Sequence, residues 1–323
     1  SLKHTADVGI FASEVTGKFT LPKDKGITKT FITEATSFNE DISYKISTAS
    51  NNIELDAAFD IGLIPLNRTE NLSMGTLTFN VDGNKDALTY SANIPEISVN
   101  GSRQSVSFSN IGLAVVDGEK VADKSLDFTL GSFKLRDEKS DKSVDLAGGK
   151  LTSLLSMGET STLSTSIGID NLKVNAVGIP PYDFALGLET DIVNLNTSVL
   201  KQFEYIMDRG NISSSEMEGL IVDLVSSGLR AENINFTVNE ASVKGSLSIK
   251  PDNYTGLRPH LVNKKIGSNT SSQFDFDLSK QMYLAAPNLQ HFIDQYFDAN
   301  ANGHYTAEIK TEADKLFING TKI

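Results

Sequence analysis

The chain has 323 residues, of which 39% are hydrophobic, and its formal net charge is -12. This length and apolar content suffice for one large domain or two domains of ordinary size, each with a buried core. Because nucleic acid is a polyanion held mainly by Lys and Arg, a chain this acidic is not expected to bind it, and the same charge opposes anionic lipid headgroups.

Cysteine and tryptophan are both absent from the chain. Without cysteine there are no disulfides, thiol nucleophiles, iron–sulfur clusters or thiolate zinc sites. Without tryptophan, the aromatic platform that most often stacks on carbohydrates is missing. We therefore predict no cofactor.

Alternation of apolar and polar residues with a period of two predicts strands along most of the chain. In the first part, the alternating segments are residues 53–61, 77–81, 106–115, 126–130 and 182–188. In the last part, they are residues 234–238, 243–249, 274–278, 305–309 and 316–318. The dipeptides Asp82-Gly83 and Asp117-Gly118 predict turns between strands. One-sided alternation is typical of antiparallel sheets.

Three segments have the spacing of amphipathic helices. The first runs from Asn196-Thr197 to a stop at Gly210, and the second has Ser213 and Glu216 as a capping box and ends at Gly228. The third is entered through Pro287. Their apolar stripes are interpreted as surfaces that cover a sheet.

These elements predict a mainly β (α+β) fold, with one or more long curved antiparallel sheets and about three amphipathic helices packed in the C-terminal half. The helices appear only after the Gly- and Pro-containing segment 177–181. We therefore divide the chain into an all-β region, residues 1–178, and a β region with a helical hairpin and a final helix, residues 179–323. One continuous domain is the alternative.

No nucleophile elbow, phosphate-binding loop or dinucleotide fingerprint occurs in the sequence. The histidines have no metal-binding spacing and are interpreted as surface or structural residues; they are His4, His260, His291 and His304. His291 falls between the apolar positions of its helix and is predicted to face water.

One segment, residues 298–303, has the spacing of metal ligands. Asp298, Asn300 and Asn302 occupy positions one, three and five of a calcium loop, and Gly303 occupies position six. Position twelve is Ile309, where a bidentate Glu is needed. A polar loop between helix and strand is therefore the favoured interpretation, and a calcium site is the alternative.

Several short motifs resemble the YdgA-like family, proteobacterial inner-membrane-anchored periplasmic proteins of unknown function. The motifs are Pro287-Asn288-Leu289, residues 303–310, residues 316–323, and Ser227-Gly228-Leu229 followed by Ile234-Asn235-Phe236. The resemblance implies a periplasmic body, an N-terminal membrane anchor that is absent from this chain, and no catalytic residue. The expected architecture is also similar, by analogy, to AsmA-like envelope proteins, whose long curved sheets are associated with lipid handling.

The leading hypothesis is a non-catalytic, membrane-tethered envelope protein that binds a lipid or other hydrophobic ligand on an apolar sheet face. The candidate lining residues, which could equally be ordinary core, are Phe59, Phe79, Phe108 and Phe128. One alternative is a protein–protein scaffold that serves the assembly of the envelope or of a surface machine. The other is a hydrolase, which would need two convergent carboxyl groups about 5–10 Å apart in a cleft.

Overall fold

The computed structural model confirms a mainly β protein. The part of the chain that the structure describes contains twenty strands of one sheet, and every strand pair described there is antiparallel. The four helices among these residues all follow residue 196. The structure describes residues 2–8, 12–20, 41–49, 52–59, 62–66, 69–84, 86–118, 121–176, 179–208, 213–250, 269–312 and 315–323.

The strands are long in the middle of the chain and short at its end. They are β1 (Leu2–Val8), β2 (Ala12–Thr20), β3 (Asp41–Ala49), β4 (Asn52–Phe59), β5 (Gly62–Pro65), β6 (Glu70–Met74), β7 (Leu77–Asn84), β8 (Ala87–Gly101), β9 (Gln104–Asp117), β10 (Asp123–Asp137), β11 (Lys142–Ser156), β12 (Thr160–Ala176), β13 (Ile179–Asn196), β14 (Arg230–Val238), β15 (Ala241–Ile249), β16 (Thr270–Leu278), β17 (Asp298–Ala299), β18 (Tyr305–Glu312), β19 (Lys315–Ile318) and β20 (Thr321–Lys322). The helices are α1 (Thr197–Asp208), α2 (Ser214–Ser226), α3 (Lys280–Ala285) and α4 (Pro287–Tyr296).

The chain forms two compact units. Unit 1 comprises residues 1–152 and 167–185, and unit 2 comprises residues 153–166 and 186–323. The sequence-based division after residue 178 is a single cut and stays a prediction. All four helices belong to unit 2.

In unit 1, consecutive strands pair from β1 to β4, and the order then continues β4–β7–β8–β9–β10. Strand β8 pairs with β7 along its first half and with β6 along its second half. The predicted turn at Asp82-Gly83 is wrong in position, because β7 continues through Asn84. Asn84 Oδ1 accepts the backbone N–H of Asp86 at 2.8 Å, which forms the turn two residues later.

The second predicted turn is confirmed, since β9 ends at Asp117. The Asp117 carboxylate lies 2.9 Å from Lys124 Nζ on β10 and accepts the backbone N–H of Gly118 at 2.7 Å. The hydrogen bond from Lys124 holds the pKa of Asp117 below its usual value of 3.8. The ion pair therefore ties the two ends of this hairpin together.

In unit 2, the strands pair in the order β13–β14–β15–β16–β18–β19. The register of β14 shifts against both of its neighbours, next to Asn233, whose φ is 53°. Asn233 Nδ2 donates to Asp191 on β13 at 2.7 Å. This hydrogen bond, followed by one from Ser164, lowers the pKa of Asp191 below its usual value. The hydrogen bond between Asn233 and the ionised carboxylate of Asp191 thus stabilises the register shift in β14.

Side chains fix the start of each of the first two helices. Thr197 Oγ1 donates to Gly158 O at 2.9 Å and lies 2.8 Å from Oγ of the fully buried Ser161, which attaches the start of α1 to the sheet. The predicted capping box of α2 is confirmed: the Ser213 side chain accepts the Glu216 N–H, and the Glu216 side chain accepts the Ser213 N–H.

Helix α4 begins at Pro287, as predicted. Helix α3 was not predicted; it is capped by the side chain of Ser279, which accepts the N–H of Met282 at 3.3 Å. Helical spacing predicts an apolar stripe on α2 that includes Leu220 and Ile221. Leu220 is buried as predicted, but Ile221 is exposed and Val222 is buried instead.

The two units bury apolar residues to very different extents. Among the described residues, eight of the nine buried apolar side chains belong to unit 2, and only Ile64 belongs to unit 1. The buried residues of unit 2 are Leu195, Val199, Leu220, Val222, Ala241, Ile293, Ala307 and Ile318. The helices therefore supply a core for the sheet of unit 2.

Gly245 on β15 allows a close approach that a side chain would block. A Cβ at this position would lie 2.2 Å from Gln273 O and 2.5 Å from Cδ1 of Phe274. We expect Gly245→Ala to lower the free energy of unfolding by about 1–3 kcal/mol. Gly219→Ala in α2 is the control: its Cβ would meet nothing within 4 Å, so better helix propensity should raise stability by about 1 kcal/mol. Urea unfolding measures both, and equal effects would contradict this packing.

The hydrogen bond between Asn233 and Asp191 predicts a pH-dependent stability. Since the folded pKa of Asp191 is lowered, its contribution is present above the unfolded pKa and is lost as pH falls through the folded pKa. Asn233→Gly, which tolerates the positive φ, should therefore be less stable than the wild type at pH 7, and the difference should shrink at pH values below about 4. Asn110→Gly, at a φ of 51° in unit 1, is the control. Unfolding free energies that differ equally at both pH values would refute the role of Asp191.

Candidate functional site

The register of unit 1 gathers apolar side chains on one face of β4 and β7–β10. One row of directly opposed residues is Ala57–Phe79–Ala92–Leu113–Phe128, and the next is Leu55–Val81–Tyr90–Val115–Leu126. Directly opposed residues of antiparallel strands point to the same side of a sheet, and so do residues two apart on one strand. We call this side the apolar face of unit 1; Phe59 shares it with Phe79 and Phe128.

The other side of the same strands is polar. Its corresponding rows are Asp56–Asn80–Ser91–Ala114–Asp127 and Ala58–Thr78–Asn93–Gly112–Thr129. Asn80 Nδ2 donates to the Asp56 carboxylate, and Ser91 Oγ donates to Asn80 Oδ1 at 3.5 Å. The sheet is therefore amphipathic across five strands.

Beyond these rows, the apolar alternation changes phase in three neighbouring strands. On β9 the apolar positions are 106 and 108 and then 111, 113 and 115, and the change falls at Asn110, whose φ is 51°. By register, Asn110 lies opposite Gly131 on β10 and Pro95 on β8, where the alternation also changes. On β9, Phe108 comes before Asn110, whereas Leu113 comes after it. Phe108 lies directly opposite Phe133 on β10, and the centroids of the two rings are 5.0 Å apart.

The apolar face of unit 1 is only partly shielded from water. Leu113 is 41% exposed although its strand, β9, is paired on both sides. The four phenylalanines predicted to line a site are all half-buried, namely Phe59, Phe79, Phe108 and Phe128. An antiparallel sheet normally packs such a face against another layer. The four side chains are thus neither a closed core nor freely exposed.

A second candidate lies on the polar side of the sheet in unit 2. Four carboxylates line one cavity of about 380 Å³, together with Lys244 and Asn319; they are Asp275, Asp277, Asp298 and Glu308. Two of these carboxylates are already bonded, Asp277 to His304 Nδ1 at 2.7 Å and Asp298 to Asn319 Nδ2 at 3.2 Å. The cavity presents acidic groups in an open polar groove.

The predicted histidine roles have different outcomes. His291 is exposed, as predicted, and His304 is a half-buried structural residue that joins the β17–β18 loop to Asp277 on β16. His260 lies outside the described residues, and the side chain of His4 is likewise outside them.

The calcium-like segment is built as a turn. Asn300 Oδ1 accepts the backbone N–H groups of Asn302 and His304, each at 3.0 Å, and Asp298 Oδ2 accepts from Asn319. These oxygens therefore bond to the protein itself. The described part of the chain has no group of three or more His, Cys, Asp or Glu side chains that could hold a metal ion.

Asn319 is a structural residue that the sequence did not single out. Its Oδ1 accepts the N–H of Glu308 at 2.8 Å, and its Nδ2 donates to Tyr296 O at 3.0 Å and to Asp298. It thereby joins the end of α4, β17 and β18. The only sequence signal was the terminal Asn319-Gly320 turn, which indicates a backbone conformation but not these partners.

Loss of the Asn319 side chain should destabilise unit 2. Asn319→Gly keeps a residue that tolerates the φ of 47° and removes the three hydrogen bonds, so we expect a loss of about 1–3 kcal/mol in unfolding free energy. The exposed Asn302→Ala change in the neighbouring loop is the control and should be nearly neutral. Differential scanning calorimetry measures both, and an unchanged melting temperature for Asn319→Gly would refute this role.

No protein-family model and no curated protein sequence matches the chain. None of the described helices combines the length and the apolar character that a transmembrane helix requires. The candidate sites are therefore interpreted from their own geometry.

Proposed function

We propose that the protein binds a hydrophobic ligand, such as a lipid acyl chain, on the apolar face of unit 1. The observation that carries this proposal is the 41% exposure of Leu113 in the middle of that face. Within the described residues, unit 1 has one buried apolar residue, Ile64, whereas unit 2 has eight.

The energetics of burial favour such a ligand. Removing apolar surface from water contributes about 25 cal/mol per Å², and a chain lying on the face would shield side chains from several strands at once. A ligand that covers Phe79, Leu113 and Phe128 would therefore bind without any directional contact. Specificity would come from shape and from length.

The dimensions of the face limit the size of the ligand. Strands β4 and β7–β10 lie side by side, which makes the face roughly 19 Å wide at about 4.8 Å per strand spacing. Along β10, the apolar positions of this face run from Leu126 to Leu130, roughly 14 Å at about 3.4 Å per residue, before the alternation changes at Gly131. An acyl chain that lies across the strands fits this outline.

The charge of the protein limits which class of lipid headgroup can lie near the sheet. The net charge of -12 and the carboxylates on the polar side of the strands disfavour an anionic headgroup near the sheet. A zwitterionic or uncharged lipid is the expected class. We further propose, on the resemblance to the YdgA-like family alone, that this binding takes place in the periplasm in a membrane-tethered, non-catalytic protein.

The absence of tryptophan allows a direct test, because Leu113→Trp introduces a single fluorescent reporter on the apolar face. We expect its emission to shift to shorter wavelength when the zwitterionic lipid lysophosphatidylcholine is added. Thr129→Trp is the matched control, since Thr129 is exposed on the polar side of the adjacent strand and should not respond. A response of equal size at both positions would contradict binding on the apolar face.

Native mass spectrometry tests the same proposal without a probe. Protein purified from a proteobacterial host should carry a lipid at fixed stoichiometry, and Phe128→Asn should lower the bound fraction at least severalfold, whereas Thr129→Asn should leave it unchanged. Circular dichroism checks that both variants fold. A clean ligand-free mass for the wild type would overturn the proposal and favour the scaffold hypothesis.

A further inference from the structure

The apolar face of unit 1 carries polar side chains at one corner only. Within residues 53–59, 77–83, 88–94, 111–117 and 124–130, every second side chain lies on this face. Three of these are polar, namely Tyr90, Asp117 and Lys124, and we call them the polar corner. The others are Ile53, Leu55, Ala57, Phe59, Leu77, Phe79, Val81, Gly83, Leu88, Ala92, Ile94, Ile111, Leu113, Val115, Leu126, Phe128 and Leu130.

The polar corner is built by three neighbouring strands. Tyr90 lies on β8, Asp117 on β9 and Lys124 on β10, and the last two form an ion pair at 2.9 Å. Tyr90 is directly opposite Val115, two residues before Asp117, so it lies one row further into the face. Such diagonal residues have Cβ atoms about 7 Å apart, within reach of a tyrosine side chain. The hydroxyl and the ion pair therefore form one local group.

Two of the polar groups in this corner have unused hydrogen-bonding capacity. Asp117 accepts both Lys124 Nζ and the Gly118 N–H on Oδ1, and no described residue bonds to its Oδ2. The hydroxyl of Tyr90 likewise has no partner among the described residues, although this side chain is half-buried. A tyrosine on an apolar surface usually directs its hydroxyl to a polar partner. Oδ2 is thus available to a cation, and the hydroxyl is available to a ligand oxygen.

The ion pair restricts the class of lipid that can cover this corner. Shielding a charged group from water is unfavourable unless the ligand supplies an opposite charge or a hydrogen bond. An uncharged headgroup would shield Asp117 and Lys124 without supplying either charge. An anionic headgroup would pair with Lys124 but would also lie beside the Asp117 carboxylate, and the net charge of -12 opposes it further. A headgroup that carries both charges complements the pair.

We propose that the polar corner binds the zwitterionic headgroup of a phospholipid or lysophospholipid, an inference that rests on the lipid site proposed for unit 1. The ammonium of the headgroup lies beside Asp117 Oδ2, its phosphate lies beside Lys124, and the Tyr90 hydroxyl donates to the ester carbonyl. The charged groups of the lipid thus meet the outermost row, and its ester meets the next row. From there the acyl chain crosses the strands past Leu113 and Phe79 towards β4.

Lipids that share one acyl chain but differ in headgroup test this proposal. Leu113→Trp reports the binding of lysophosphatidylcholine, lysophosphatidylglycerol and a monoacylglycerol, which have zwitterionic, anionic and uncharged heads, each below its micelle concentration. We expect the zwitterionic lipid to bind about tenfold or more tightly than either of the others, because both of its charges find a partner. Equal affinities would overturn this inference and leave the lipid site of unit 1 standing. No response to any of the three lipids would remove the site and the inference together.

Removal of the negative charge from the corner should change the headgroup preference. In the same reporter background, Asp117→Asn keeps an acceptor for the Gly118 N–H and should lower the preference for the zwitterionic over the anionic lipid about tenfold. Glu312→Gln is the matched control, because it changes the net charge equally by removing an ion pair with Lys310, 3.6 Å long, on β18 of unit 2. A preference that survives in Asp117→Asn, or falls as far in Glu312→Gln, would overturn the proposal.

The other two contacts are tested separately. Lys124→Gln should weaken both phosphate-containing lipids about tenfold and leave the monoacylglycerol unchanged. Tyr90→Phe should weaken all three lipids by a similar factor of about three to ten, because they share the ester carbonyl. An effect of Lys124→Gln on all three lipids, or of Tyr90→Phe on the phosphate-containing lipids alone, would contradict the proposed contacts. Circular dichroism checks that each variant folds, and the headgroup comparison remains decisive without any change in the corner.

Discussion

The cross-strand register of β4 and β7–β10 is the constraint on which the candidate site depends. Because side chains alternate along a strand, a slip of one residue would exchange the apolar and the polar sides. Hydrogen bonds at the ends of hairpins oppose such a slip, including the Asn84 turn and the pair of Asp117 with Lys124. The same pairing places Phe79, Leu113 and Phe128 in one row. Without it, these residues would be unrelated positions in the sequence.

Both units carry apolar rows across the sheet, and neither row is wholly covered. In unit 2, the row Leu188–Phe236–Val243–Phe276–Ala307 contains Phe236, which is 43% exposed, and ends at Ala307, which is 5% exposed. The ring of Phe297, directly after α4, lies 5.9 Å from that of Phe276, so the helical part of unit 2 covers this end of the row. In unit 1, the central residue Leu113 of its row is 41% exposed. A ligand on unit 1 would supply the kind of cover that Phe276 has in unit 2.

Much of the fold could be predicted from the sequence, because it depends on local signals. Alternation predicted β4, β7, β9 and β10 and, from β13 onwards, every described strand except the two-residue strands β17 and β20. The capping box at Ser213 and Glu216 predicted the start of α2. Strands β11 and β12 were missed because Gly148, at a φ of 66°, and Gly149 interrupt the alternation of β11 and no clear turn signal separates the two. Helix α3, with six residues, is too short to show a helical period.

The candidate sites were less predictable than the strands, for a physical reason. Alternation states which side of a strand is apolar, but not whether another layer covers that side. Phe59 and Phe128 were therefore equally compatible with a closed core and with an open surface, and only the exposure of their neighbour Leu113 separates the two. In this protein, the candidate functional surfaces are therefore those on which apolar side chains remain exposed to water.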